Sequence, residues 1–253
     1  MDTMTGKVAL VTGAGSGIGR AVALEFAAKG AAVMVADFNL TGAEETVRQV
    51  VAGGGRAAAV KVDVADEASV KEMVAATVAT FGRVDYLVNN AGISAAGPNV
   101  PLHEVEVEAF KRVLDVNVVG TFLGLKHAIP ELLKVGGGGV VNLASTMGDR
   151  ATAGDPSYPT SKHAVRGLTK SAALTYATAG VRVNCVGPGV VRTGMTEAIF
   201  ADEQTTAWLK SVTPMRRFGE PAEVAKLIVF LCSEDASYIT GAYYPIDGGW
   251  LAG

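Results

Sequence analysis

Tyr158 and Lys162 stand four residues apart, a spacing that puts both side chains on one face of a helix. An ammonium group beside a phenol favours the phenolate. Bringing a tyrosine from about 10 to near 7 takes roughly 4 kcal/mol of differential stabilisation. A phenol tuned in that way takes a proton from an alcohol or gives one to a carbonyl. A surface Tyr–Lys pair has the same spacing, so the pair needs company. Ser145 follows a β-branched run and offers a hydrogen-bond donor for a substrate oxygen. The segment Thr12-Gly13-Ala14-Gly15-Ser16-Gly17-Ile18-Gly19 lies between a strand-like run and a helix-like one. There, glycines let a ligand approach the backbone, and the helix N-terminus presents free N–H groups to a pyrophosphate. Ile18 stands where the common Gly-x-Gly-x-x-Gly pattern has its last glycine. Asp37 follows about 20 residues on, where a carboxylate accepts hydrogen bonds from the ribose hydroxyls of a dinucleotide. A 2′-phosphate there would meet like charge, and neither Ser16 nor Phe38 supplies a cation to offset it. The expected cofactor is therefore NAD(H) in preference to NADP(H). Asp63-Val64 is placed to hold the adenine edge.

The elements that must position these residues alternate regularly. Strand-like runs are read at 8–11, 32–36, 57–62, 84–88, 140–144, 181–186 and 242–246, and Ala32–Ala36 is apolar enough to be buried on both faces. Helices are read at 18–29, 43–51, 67–81, from about 104 to 134 with Pro130 as a bend, from about 156 to 178, and at 221–232 with Pro221 in its first turn. Residues 196–211 are less regular. Seven strands separated by helices imply parallel pairing through right-handed crossovers. The expectation is one α/β domain over 1–253, a doubly wound parallel sheet with helices on both faces. Its carboxyl edge gathers the glycine loop, Asn89-Asn90-Ala91-Gly92, Ser145 and the start of the helix bearing Tyr158. Asn117 lies inside an apolar helical stretch, where a buried amide must find partners.

Composition narrows the function classes. Among 253 residues, 49% are hydrophobic and 19% charged, which argues against disorder. A net charge of −3 argues against a nucleic-acid binder built on a basic surface. No apolar run approaches the ~18 residues of a membrane helix, and the polar N-terminus leaves no room for a signal peptide before Val8. Cys185 and Cys232 sit in apolar surroundings and read as buried free thiols, so a cytoplasmic protein is expected. Three histidines without close spacing make no metal site.

Taken together, Thr12-Gly13-x-x-x-Gly17-Ile18-Gly19, Asp63, Asn89-Asn90-Ala91-Gly92, Asn117, Ser145, Tyr158-x-x-x-Lys162 and Pro188-Gly189 resemble the short-chain dehydrogenase/reductase family, over essentially the whole chain. Thr160 is one departure, since the family often has alanine there. The resemblance implies a single-domain Rossmann fold with Tyr158 as acid/base. It implies that Lys162 binds the nicotinamide ribose and lowers the tyrosine's pKa, and that Ser145 orients the substrate oxygen. It further implies that Asn117 holds a water in a proton relay behind Lys162. The Asn90 region with Gly92, Pro188, the Val191 backbone and Thr193 would contact the nicotinamide half. Asp37 marks NAD-using members, and a homotetramer is expected.

The expected reaction interconverts a secondary alcohol and a ketone. The expected substrate is a small to medium apolar compound such as an alicyclic or aromatic alcohol, a steroid or a diol. Substrate choice should lie in Ser94–Asn99, Met147–Asp155 and Thr193 to about Pro214. Met147, Asp155, Gly189, Met195 and Trp208 are the candidate substrate contacts. Arg150, Arg192, Arg216 and Arg217 read either as anion binders or as surface ion pairs. One alternative is a 3-oxoacyl-[acyl-carrier-protein] reductase. Such enzymes mostly use NADPH, which Asp37 disfavours. A second is a non-catalytic dinucleotide sensor, which has no need of the Ser145, Tyr158 and Lys162 set.

Overall fold

The computed structural model describes residues 4–94 and 100–253. Among them are seven strands, β1 (Val8–Thr12), β2 (Ala32–Asp37), β3 (Arg56–Lys61), β4 (Tyr86–Asn89), β5 (Gly138–Leu143), β6 (Val181–Pro188) and β7 (Tyr243–Ile246). All pairings are parallel, in the order β3-β2-β1-β4-β5-β6-β7. The chain winds outward from β1 to β3, returns past β1 to β4, and then runs the other way. Connections leaving β1 and β4 diverge to opposite faces and open a crevice beyond their carboxyl ends.

Nine α-helices are described: α1 (Gly17–Ala28), α2 (Leu40–Ala52), α3 (Glu67–Phe81), α4 (Val107–Leu114), α5 (Gly120–Lys134), α6 (Ser157–Tyr176), α7 (Glu197–Ala201), α8 (Glu203–Val212) and α9 (Pro221–Cys232). Side chains alternate across each strand, so the sheet feeds two cores. Ala9, Val11, Val33 and Val35 meet Phe26 of α1 and Ile228 of α9 on one face. Leu10, Met34 and Leu87 meet Met73 of α3 and Leu132 of α5 on the other. Both faces are covered, which is why β1 and β2 read as unbroken apolar runs.

The expected long helix from 104 to 134 is divided. A π-helical turn, Asp115–Val119, separates α4 from α5 and carries Asn117. Single π turns of this kind concentrate at functional sites. Pro130 lies inside α5, which runs on through it. Residues 196–211, which read as less regular, form the two short helices α7 and α8. Ser145 and Asp63 each lie two residues beyond their strands, not at the strand ends. Both cysteines are buried free thiols, and burial pushes them up to about 11 at Cys185 and about 12 at Cys232.

Candidate active site

The crevice holds a cleft of about 830 Å³ at the carboxyl edge of the sheet. Gly13, Ser16, Gly17 and Ile18 line it from the glycine loop, and Asp37, Asp63 and Val64 from the ends of β2 and β3. Asn90 and Gly92 line it after β4, and Pro188, Gly189, Val191, Thr193 and Met195 after β6. Ser145, Tyr158 and Lys162 complete it. All fourteen expected cofactor residues therefore border one cavity.

The glycine loop is held by Asn90, just beyond β4, and by Thr12 at the end of β1. The Asn90 amide donates to the carbonyls of Thr12 (2.8 Å) and Gly13 (3.0 Å), while the Thr12 hydroxyl accepts from the N–H groups of Asn90 and Ala91, each at 3.1 Å. This crossing demands glycine twice. A Cβ on Gly19 would lie 2.2 Å from the Gly13 oxygen and 2.5 Å from Asn90 Nδ2. Gly13 itself has φ +62°, and its Cβ would meet Asn90 Nδ2 at 2.8 Å. Ser16, at the N-cap of α1, makes no side-chain capping bond, so the first N–H groups of that helix are free of side-chain partners. Across the cleft Thr193 Cγ2 stands 3.2 Å from where a Gly17 Cβ would be. Bare backbone, a helix N-terminus and a long cleft fit a dinucleotide, and Gly13, Ser16, Gly17 and Ile18 are the residues that would hold its phosphates.

Asp37 does more than the sequence suggests. Its Oδ2 accepts from the Gly15 N–H at 2.7 Å and its Oδ1 from the Asn39 N–H at 2.8 Å. The carboxylate thus ties the glycine loop to the end of β2 before any ligand arrives. Arg20, absent from the expected set, donates from Nε to Thr46 Oγ1 at 3.0 Å and from its guanidinium to the Gly15 carbonyl. The cation beneath the loop is therefore already partnered. Asp63 Oδ1 accepts from the Ala65 N–H at 3.0 Å and shapes the turn after β3.

Tyr158 and Lys162 sit in the first turns of α6. Lys162 is 4% exposed, donates to the Leu143 carbonyl at 2.9 Å, and lies 5.4 Å from the centre of the Tyr158 ring. Burial pushes its ammonium down to about 8. Tyr158 is half-buried, and its phenol is held above the ordinary value, first by burial. Hydrogen bonding with Ser145 acts in the opposite direction, and the charge of Asp155 adds to the rise. Burial thus disfavours both charged forms, the phenolate and the ammonium.

Asn117 finds its partners. Its Nδ2 donates to the Ile93 carbonyl and to Ser161 Oγ, each at 2.9 Å, and its Oδ1 accepts from the Ile93 N–H at 2.8 Å. A Cβ on Gly92 would lie 3.1 Å from Asn117 Oδ1 and 3.4 Å from Lys162 Nζ, so the three groups converge. Ser145 Oγ accepts from the Met147 N–H at 3.2 Å, and its carbonyl accepts from Tyr243 Oη at 3.0 Å. Arg166 stacks on Tyr243 at 4.1 Å from the ring centre and donates to the Gly148 carbonyl and to Asp149. Tyr243 and Arg166 carry no signal of this role in the sequence, because β7 and α6 meet the Ser145 turn only in the folded chain.

The expected substrate contacts divide. Gly189 and Met195 line the cleft; Met147, Asp155 and Trp208 do not. Met147 is drawn toward Ser145 through its backbone, and Asp155 is spent on capping α6. Trp208 is 58% exposed and borders a separate pocket with Arg150 and Trp250. Of the candidate loop Ser94–Asn99, residues 95–99 lie outside the described residues. The four arginines follow the ion-pair reading or bind carbonyls. Arg192 faces Glu220 at 3.4 Å, Arg217 pairs with Glu223 at 2.7 Å, and Arg150 and Arg216 donate to the carbonyls of Gly253 and Ser211.

Residues 13–251 match the family model adh_short_C2, described as enoyl-(acyl carrier protein) reductase. The chain is 42% identical to a cyclohexanol dehydrogenase of Acinetobacter sp., over 97% of this chain and 95% of that protein. It is 42% identical to a 2,5-dichloro-2,5-cyclohexadiene-1,4-diol dehydrogenase of Sphingobium indicum, over 100% of this chain and 99% of the other. A solved structure of a putative NAD(P)-dependent gluconate 5-dehydrogenase from Beutenbergia cavernae, with NADP bound at low occupancy, superposes with a TM-score of 0.93 at 37% identity, covering 99% of each chain.

Proposed function

Because the chain belongs to the short-chain dehydrogenase/reductase family, we propose that it interconverts a secondary alcohol and a ketone with NAD(H), and that Tyr158 is the acid/base. The observation that carries this reading is the convergence of Ser145, Tyr158 and Lys162 on one dinucleotide-sized cleft. When bound, the nicotinamide dinucleotide supplies the hydride acceptor or donor, and its oxidised ring brings positive charge. Ser145 orients the substrate oxygen by a hydrogen bond. The Tyr158 phenol gives a proton to that oxygen in ketone reduction and takes it back in alcohol oxidation. Lys162 adds positive charge one helical turn away and binds the cofactor ribose. Asn117 fixes the backbone of Ile93 behind them. A phenol held above its ordinary value in the chain alone is a proton donor, so the rate of alcohol oxidation is expected to rise with pH.

The preference for NAD(H) rests on the Asp37 carboxylate at the cleft, where a 2′-phosphate meets like charge. The apolar side chains of Ile93, Val191 and Met195 at the cleft, together with the names of the two relatives above, favour a ring alcohol or diol as substrate. Exposed Phe122 of α5 and Leu174 of α6 are apolar surface suited to the homotetramer that the family resemblance implies. Among the described residues no helix is long and apolar enough to cross a membrane, and a cytoplasmic location fits the buried free thiols.

The test is absorbance at 340 nm with NAD and then NADP against alicyclic, aromatic, steroidal, sugar and 3-hydroxyacyl alcohols. Signal with NAD on ring alcohols is expected. Tyr158→Phe should cut turnover by roughly 10²-fold or more while NADH still binds. Turnover retained in that variant would remove Tyr158 from proton transfer.

A further inference from the structure

The helix that bears Tyr158 and Lys162 begins at a carboxylate. Asp155 Oδ1 accepts from the Ser157 N–H at 3.0 Å, the Ser157 hydroxyl at 2.6 Å and the Tyr158 N–H at 3.2 Å. Pro156 stands at the N-cap of α6 and offers no side-chain oxygen, so Asp155, one residue before it, takes the first two N–H groups of the helix. All three bonds use Oδ1, and Oδ2 takes no part in them. The cap therefore needs one oxygen but not the charge, since asparagine and serine cap as well as aspartate.

The charge has another consequence. Ser145 from the turn after β5 and Asp155 from the helix start act on the phenol in opposite directions, and Lys162 lies 5.4 Å from its ring centre. The positive end of the α6 dipole favours the phenolate, and an anion at that same end opposes it. Asp155 is also fixed relative to Tyr158, because one of its three bonds is to that residue's own N–H.

We propose that Asp155 is a positioning residue for Tyr158: Oδ1 sets the start of α6 and so the place of the phenol, and the carboxylate charge holds back its ionisation. The consequence is a tyrosine kept ready as an acid for ketone reduction, at the expense of alcohol oxidation near neutral pH. This rests on Tyr158 being the acid/base.

The experiment is the pH profile of kcat/KM for alcohol oxidation at saturating NAD, in the unaltered protein and in Asp155→Asn, Asp155→Ser, Asp155→Glu and Tyr158→Phe. Asp155→Asn and Asp155→Ser keep a capping oxygen and lose the charge. Both should move the rise in rate to lower pH by roughly 0.5 to 1 pH unit, raising oxidation near neutrality about 3- to 10-fold. Asp155→Glu keeps the charge and should keep the original midpoint. Unshifted profiles in both neutral variants overturn the proposal and leave Asp155 a cap only. Failure of both neutral variants to fold also overturns it, because capping then accounts for the residue. An active Tyr158→Phe overturns the acid/base reading instead, so the two failures are distinct.

Discussion

The Lys162 amine sits 5.4 Å from the centre of the Tyr158 ring while donating a 2.9 Å hydrogen bond to the Leu143 carbonyl. The lysine is thus moored to the end of β5, with its buried charge stored beside the phenol. Such storage has a cost, which pH exposes. In the folded chain the amine titrates near 8, against 10.5 for an ordinary lysine. Between those values the unfolded chain holds the proton more tightly, so stability rises with pH there, and the penalty is complete below pH 8.

Lys162→Met should therefore stabilise the fold. The expected gain at pH 7 is about 1–3 kcal/mol, after loss of the bond to Leu143 is counted. That gain should fade between pH 8 and about 10.5. Turnover should be lost. Urea denaturation at pH 7 and pH 10 measures both arms. A variant less stable than the parent at pH 7 would mean that the moored ammonium holds the fold together.

Asp37 serves two ends of the same site. It accepts from Gly15 of the glycine loop and stands at the cleft wall, where the proposed function puts the adenosine ribose. Asp37→Ala should raise the KM for NAD by roughly tenfold, the loss of one hydrogen bond to a charged group. The KM for NADP should change less, because removing the charge offsets the loosened loop. Equal changes for both cofactors would confine Asp37 to bracing the loop.

Where local chemistry marks an element, the sequence shows its limits. Helix α3 begins after the Asp66 cap and ends at Gly82, whose φ of +84° needs glycine, and its bounds are those read from the sequence. Helix α9 is equally legible, with Pro221 at its start and a capping box between Glu220 and Glu223. The split between α4 and α5 is not legible, because Val-Leu-Asp-Val-Asn-Val-Val keeps its apolar pattern across the π turn.

The site is legible in its residues but not in its bonds. Asn117 is recognisable as an amide needing partners. Its partners, Ile93 and Ser161, lie 24 and 44 residues away, and such pairings leave no local signature. Asp155 reads as a substrate contact because it closes the loop Met147–Asp155 at the carboxyl edge, whereas its Oδ1 is already engaged by the first N–H groups of α6.

Met195 and Trp208 are both candidate substrate contacts on the segment after β6, and only Met195 borders the cleft. Trp208 instead shares a pocket of about 470 Å³ with Val212, Pro214 and Trp250, the last lying under Arg150 at 5.6 Å. Burial against a ring substrate is worth about 25 cal/mol per Å² of apolar surface, so truncating Met195 forfeits roughly 1 kcal/mol. Met195→Ala should raise the KM for cyclic alcohols about fivefold and leave small acyclic alcohols nearly unchanged. Trp208→Ala should keep KM for both within about twofold, since a residue off the cleft loses no substrate contact. The KM values across a series of increasing ring size decide the matter. A Trp208→Ala effect that grows with ring size would show that the substrate reaches past Met195 into the second pocket.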